Sequence, residues 1–398
     1  MTEVVEKINK AIIKKNPEKY LKVEVLEVDF VDSYKTANNK KTVKAPHWPA
    51  EKVKYTRFSK KPATLQLNKT VKADIKVKVD SKGVSGEGVL KGIYQGYLFE
   101  GKLPLSSGEK TVSVEMKEPP ETLRWLKGNI VWNAEGGGLV EAAGTTFIEL
   151  FFVFDDPEKR VFFSDAGVWA EALRFLFKYG YARGVKKEKD GVEKVTRRCF
   201  NIKEHRYEID EGAPRFKGLS GKFNLKKYIS TTYSEVNCHD QAYAVVVFSG
   251  ALGLEVEGLY MEPFGFLNLT QLVGRGPCNN PFPYDKYKSE KMFLKGTVEG
   301  ERQMKFKPPK EEHYLVVDDV NDDYRTAFNN HSYCEYKNGI YDACAGPSVG
   351  KNDRKGYVEE NIDSTTSLNS YYKRFDFPGK VSDIETHISI GDDVKEVV

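Results

Sequence analysis

From Tyr20 to Val31 the chain reads YLKVEVLEVDFV, with apolar and polar residues taking turns. The same period of two returns in TLQLNKTVKADIKVKVD (64–80), in EGVLKGIYQGYLFEGKLPL and in KTVSVEM, and it closes in TTFIELFFVFD at Asp155. Successive side chains on a strand point to opposite faces, so this alternation predicts strands with one buried face. Gly, Asn, Asp and Pro between the runs predict turns. The pattern changes after Pro157. In SDAGVWAEALRFLFKYG (164–180), Val168, Ala172, Leu173, Leu176 and Phe177 recur at helical spacing. Ser164 or Asp165 can cap that helix and Gly180 can end it. The charged stretch ARGVKKEKDGVEKVTRR reads as a hairpin or exposed loop. Residues 1–19 read as a short helix or arm.

A chain of 398 residues exceeds one compact core. The early strands predict a sandwich of immunoglobulin-like type over 1–156, with Trp125 and Trp132 packed inside. A second domain follows over 157–350, opened by the 164–180 helix. It is interrupted by a Pro-, Gly- and Lys-rich excursion at 274–309, and residues 351–398 form a C-terminal extension. NAEGGGLVEAAG (133–144) is Gly-rich but lacks the Gly-Lys-Ser/Thr ending of a phosphate cradle, so it reads as a flexible loop.

Composition narrows the function classes. There are 62 basic and 58 acidic residues, 40% hydrophobic content and 12% aromatic content. Such a mild, interspersed charge excess carries no nucleic-acid footprint, and the aromatic share argues against disorder. No apolar run approaches the roughly 18 residues needed to span a bilayer, and the N-terminus lacks the apolar block of a secretory signal. A cytoplasmic protein, or one exported by a signal-independent route, is expected. Five cysteines without framework spacing point to free thiols. No CxxC or HExxH occurs, and nothing calls for a metal or cofactor.

One cysteine stands apart. In TTYSEVNCHDQAYAVVVFSGALGL (231–254), Cys238 sits where a turn-prone stretch gives way to an apolar helix that Gly253 can stop. Ser234 or Asn237 is the expected N-cap. Cys238 then lies in the first turn, where open N–H groups and the helix dipole favour a thiolate. A lone cysteine is more often an inert core residue, so a base is required as well. His239 is the next residue of the helix and diverges from Cys238 by about 100°. His331 is the better partner. It opens HSYCEYKNGIYDACAGP, read as a strand, a turn at Asn338–Gly339 and a second strand carrying Asp342. A helix-borne Cys followed by a His strand and an Asp strand is the arrangement of a Cys-His-Asp acyl-transfer site. The register leaves two possibilities. A two-residue turn at Asn338–Gly339 sets Asp342 opposite Glu335, about 13 Å along the sheet from His331. A four-residue loop at Tyr336–Gly339 sets it opposite Tyr333, one diagonal step away. Alternation sends Cys334 away from His331, which weighs against a metal site with Cys344. Asp240 reads as a packing or capping acid.

On the segments VNCHDQAYAVVVFSGALGL and NNHSYCEYKNGIYDACAGP, in that order and separation, the sequence resembles the transglutaminase-like branch of the papain-like superfamily over roughly residues 165–350. GYVEENIDSTTSLNSYY (356–372) resembles the continuation found in uncharacterised bacterial members. The resemblance implies an α+β fold, with a papain-like transglutaminase core following the sandwich. It implies Cys238 as nucleophile, His331 as general base and acid, and Asp342 as orienter. The oxyanion would be held by the Cys238 N–H and a second, upstream donor, for which Asn224, Tyr228 and Tyr233 are candidates. The expected partner is a protein or peptide substrate, with water or an amine as acceptor. The rival expectation is a non-catalytic scaffold with a vestigial papain-like domain.

Overall fold

The computed structural model describes residues 19–38, 40–43, 61–202, 205–210, 212–231, 234–262, 265–282, 315–321, 325–328, 330–363, 388–391 and 393–398. The arm expected at the N-terminus and the excursion beyond residue 282 lie outside them, as do Tyr233 and much of the C-terminal extension. The fold is mixed α/β, rich in strands with a few helices. Two compact units cluster by contact. The first comprises Met1–Lys159, Phe163–Lys186 and Ala251–Gly253, and the second comprises Arg160–Phe162, Lys187–Gly250 and Leu254–Val398.

The first unit holds the alternating runs. They become β1 (Tyr20–Phe30), β2 (Ala63–Gln66), β3 (Lys72–Lys82), β4 (Glu87–Tyr94), β5 (Tyr97–Pro104), β6 (Gly108–Lys117), β7 (Arg124–Gly136) and β8 (Leu139–Val153). These strands form one hydrogen-bonded sheet in the order β1-β3-β6-β5-β4-β7-β8-β2. Two facing immunoglobulin-type sheets were the expectation; a single continuous sheet is what forms. A bulge between Ala142 and Gly144 lets the long β8 bend, and β1 packs against it without pairing. The buried face carries Phe30, Phe99 and Trp132, whose rings follow one another at 6.1 and 6.2 Å. The Trp132 indole N–H donates to Thr146 Oγ1 at 3.1 Å. Trp125 is only half-buried and stacks on Phe151. The Gly-rich 133–144 stretch is a hairpin and not a flexible loop. Gly136 pairs with Leu139, and Gly137 and Gly138 take φ of 58° and 83°, which a two-residue hairpin turn requires.

The 164–180 helix is shorter than its periodicity predicts, and it clusters with this first unit instead of opening the second. Val168–Trp169 pair as a strand with Thr36–Ala37, and helix α1 runs over Ala170–Phe177. Gly167 causes the delay. Its φ is +89°, and a Cβ there would stand 2.3 Å from the Lys35 carbonyl oxygen. Arg174 of α1 binds the fully buried Glu149 carboxylate at 2.7 and 3.0 Å.

The second unit opens on α2 (Glu188–Phe200), where a hairpin or loop was expected. The signal was present among the charges. Val192, Val195 and Cys199 fall on one buried stripe, while Glu193 and Arg197 pair at i,i+4 on the outside. Helix α3 covers Leu225–Ser230, α4 covers Cys238–Ala251 and α5 covers Arg354–Asn361. Strands β9 (His205–Tyr207) and β10 (Ser234–Val236) pair in parallel just before α4. A five-stranded sheet is built from β11 (Glu257–Met261), β12 (His331–Tyr336), β13 (Gly339–Asp342), β14 (Ser348–Val349) and β15 (Ile388–Ile390), in the order β14-β13-β12-β11-β15. Gln241 ties α4 to its surroundings. Its amide donates to the carbonyls of Cys199 and Ala343 and accepts from the Tyr228 hydroxyl at 2.7 Å.

His205 makes this unit acid-sensitive. Its ring is buried against Phe216 and Tyr228, and neither ring nitrogen has a hydrogen-bond partner among the described residues. Burial, with the Arg198 charge adding to it, pushes the imidazole down to about 4. The unfolded chain takes up this proton below about pH 6.5, whereas the folded one refuses it until about 4. The stabilisation is therefore whole above pH 6.5 and is lost as pH falls to 4, amounting to on the order of 3 kcal/mol. In urea unfolding at pH 7.5 and 4.5, His205→Phe should lose less stability on acidification than wild type. Equal losses would mean that the ring is protonated in the fold.

Candidate active site

Cys238 is the first residue of α4, and the start of that helix is held by a reciprocal cap. Asn237 Oδ1 accepts from the Asp240 N–H at 3.0 Å, while Asp240 Oδ2 accepts from the Asn237 N–H at 3.3 Å. Of the two N-caps considered, Asn237 takes the role. Asp240 also gathers the backbone N–H groups of Arg215, Phe216 and Lys217 at 2.6–2.8 Å. It is fully buried and acts as a structural clamp. As the first helical residue, Cys238 has no carbonyl one turn back for its N–H to bond, so that donor is open for other use.

His331 and Asp342 lie on adjacent strands. The turn between them is Lys337–Asn338, with φ of 49° and 62°, and Tyr336 pairs with Gly339. The register is that of the Tyr336–Gly339 alternative, but the connection is a two-residue turn and not a four-residue loop, and the Asn338–Gly339 turn does not form. The register runs on through Cys334 opposite Tyr341, which sets Asp342 opposite Tyr333 and one diagonal step from His331. His331 Nε2 and Asp342 Oδ2 stand 2.8 Å apart. A carboxylate only accepts, so Nε2 carries the proton, and Nδ1 is left for exchange with another group. Burial is the largest influence on the ring and opposes its charge. The Asp342 carboxylate and the Cys238 sulfur outweigh it and push the imidazole up to about 10.

Asp342 is saturated with donors. Oδ1 accepts the N–H groups of Cys344 and Ala345 at 2.6 and 3.1 Å, and Oδ2 accepts the Tyr357 hydroxyl at 2.7 Å beside the His331 ring. Tyr357 stands on α5, inside the GYVEENIDSTTSLNSYY segment, where nothing in the sequence marks it out. Phe328 packs against His331, with ring centroids 5.3 Å apart. Cys238, His331 and Asp342 are 4%, 0% and 1% exposed, so each of the three is nearly out of water.

The other residues considered have separate duties. His239 turns from Cys238 toward Ser332 and Asn330. Glu335 is bound by Arg354 at 2.6 Å. Asn224 caps α3, and Tyr228 is engaged by Gln241. Tyr207 on β9 was not singled out by the sequence. It is buried, and the Cys238 sulfur ranks second only to burial among the influences that raise its phenol. All five cysteines are free and buried. Cys334 Sγ donates to the Ala242 carbonyl, on the α4 side of β12. Among the described residues no cluster of three or more His, Cys, Asp or Glu is placed to hold a metal ion, and no helix is long and apolar enough to cross a membrane.

No protein-family model and no curated protein matches the chain. Among solved structures it is similar to the crystal structure of red sea bream transglutaminase, with a TM-score of 0.39 and 9% identity over 73% of this chain. The alignment spans about half of that enzyme's length (52%). A score of that size leaves the functional reading to the residues themselves.

Proposed function

We propose that the second unit is a cysteine-dependent acyl-transfer enzyme acting on protein carboxamide or peptide bonds, with a transglutaminase-like arrangement of Cys238, His331 and Asp342. The observation that carries this reading is the buried bond between the His331 imidazole and the Asp342 carboxylate, which sets the proton on Nε2 and leaves Nδ1 as the exchanging atom. Before attack the proton of Cys238 passes to His331 Nδ1, giving the imidazolium that the ring's raised value favours, and the sulfur anion then attacks the carbonyl carbon. The C–O π bond opens to an oxyanion as the S–C bond forms. Collapse breaks the C–N bond, and His331 returns the proton to the departing nitrogen, leaving a thioester. Water or an amine then adds, losing its proton to His331, and the S–C bond breaks to restore the thiol. The two acceptors share every earlier step. The N–H of Cys238, at the start of α4, is the candidate donor to the oxyanion.

Cys238→Ala tests the reading. The substitution removes one sulfur from a helix start whose cap is made by Asn237 and Asp240, so the variant should fold. Wild type should form a single covalent adduct with a peptide carrying a thiol-reactive group in place of its carboxamide, and the variant should form none. Equal labelling of the two proteins, or labelling of wild type no faster than that of a small unactivated thiol, would leave the scaffold reading in its place.

A further inference from the structure

Cys238 and His331 are buried, yet an acyl group has to reach them, so what borders them on the solvent side decides which acyl groups fit. A string of aromatic rings runs past His331. Phe282, Tyr207, Phe328, Tyr333 and Tyr357 are linked to one another and to the imidazole by centroid distances of 4.7–5.9 Å. Tyr207, Phe328, Tyr333 and Tyr357 are at most 1% exposed. Of these five rings, only that of Phe282 is open to solvent, and only in part.

Phe282 also touches both sides of the site. On the base side its ring meets Phe328 at 5.6 Å, and Phe328 packs on His331. On the nucleophile side its outer edge lies on the backbone of Gly212. A Cβ there would stand 3.0 Å from Phe282 Cε1 and Cζ, and the φ of +63° further favours glycine. The Gly212 carbonyl in turn accepts from Asn237 Nδ2 at 2.7 Å, and Asn237 is the cap that precedes Cys238. The position is fixed as well. The Phe282 N–H donates to Thr326 Oγ1 at 3.0 Å, and the Thr326 hydroxyl donates to the buried Asn280 Oδ1 at 2.6 Å. A ring already held in this way loses little freedom when a ligand packs against its open face.

We propose that Phe282 is a specificity residue of the candidate active site, an apolar wall that selects acyl groups carrying an apolar, preferably aromatic, side chain close to the reacting carbonyl. Such a side chain covers the open face of the ring and leaves water as it does so. A charged side chain in the same place would give up its water for an apolar face. The inference rests on the acyl-transfer reading and deepens it by naming the substrate class.

Two esters offered to the full chain test the assignment, p-nitrophenyl 3-phenylpropanoate and p-nitrophenyl acetate. Each acylation rate is divided by the rate of the same ester with free N-acetylcysteine, and mass spectrometry of the peptide carrying Cys238 locates the acyl group. Wild type should prefer the phenylpropanoate by about tenfold or more, as expected for one apolar group seated against a matching wall. Phe282→Ala should bring the corrected ratio close to one, and Phe282→Trp, which keeps an aromatic face, should retain most of the preference. A ratio near one in wild type, or a preference that survives in Phe282→Ala, would overturn the inference and leave the acyl-transfer reading standing. So would equal slowing of both esters in Phe282→Ala, the mark of a ring that only supports the fold. No acylation of Cys238 by either ester would instead overturn the acyl-transfer reading, and this inference with it.

Discussion

Asp342→Asn is expected to slow acylation of Cys238 by a p-nitrophenyl ester by about 10³-fold or more. Every group around Asp342 is a donor: the His331 ring, the Tyr357 hydroxyl and the N–H groups of Cys344 and Ala345. An Asn side chain has one accepting oxygen and one donating nitrogen, so it must set its NH₂ against one of those pairs. With the oxygen on the backbone pair, the NH₂ faces His331 and drives the ring proton to Nδ1, the atom that must receive the thiol proton. With the amide reversed, two buried N–H groups lose their acceptor and the strand end shifts. The ring should also lose the carboxylate that holds it near 10 against its burial, so its titration, followed by NMR, should fall well below that value. Tyr357→Phe removes one donor of the four and should cost about tenfold, without changing the ring tautomer. Equal rates for Asp342→Asn and wild type would remove Asp342 from the relay. Equal losses in Asp342→Asn and Tyr357→Phe would mark both as merely structural.

The largest effect on stability is expected at Arg325, six residues before His331. Its guanidinium is 1% exposed and meets Asp363 at 2.5 Å, itself 5% exposed. It also donates to the carbonyls of Leu267, Val320 and Asn279 at 2.6, 3.1 and 3.3 Å, and it lies over the Phe266 ring. Arg325→Met keeps the volume but strands a buried carboxylate and three carbonyls, at a cost of about 3–5 kcal/mol in urea unfolding. Adding Asp363→Leu should return much of that loss, because the uncompensated charge is the main penalty. A loss below about 1 kcal/mol in the single variant would show that the pair is solvated in solution.

The sequence by itself determined much of the local structure. Period-two alternation located the strands of the first unit, because a half-buried strand must alternate. The break between Asn237 and the apolar run located the helix that starts at Cys238, because an N-cap and a period of 3.6 are local properties. It also ordered the three reactive residue types along the chain. Elements whose signal was diluted were misread. Charges masked the Val192, Val195 and Cys199 stripe of α2, and two adjacent glycines that make a tight hairpin looked like a loose loop. Whether the early strands form one sheet or two depends on a bulge in β8 and on packing between residues far apart, which periodicity does not encode.

Only the tertiary structure chose between the two hairpin registers, and with them between an Asp342 out of reach and one bonded to His331. The choice turns on positive φ at Lys337 and Asn338, residues that carry no glycine signature. Tyr357 came to lie beside Asp342 for the same reason. Its neighbour in space is that carboxylate, while its neighbours in sequence say nothing of it. A side chain's type is written in the chain, but its protonation and its partner are set by what folding packs around it.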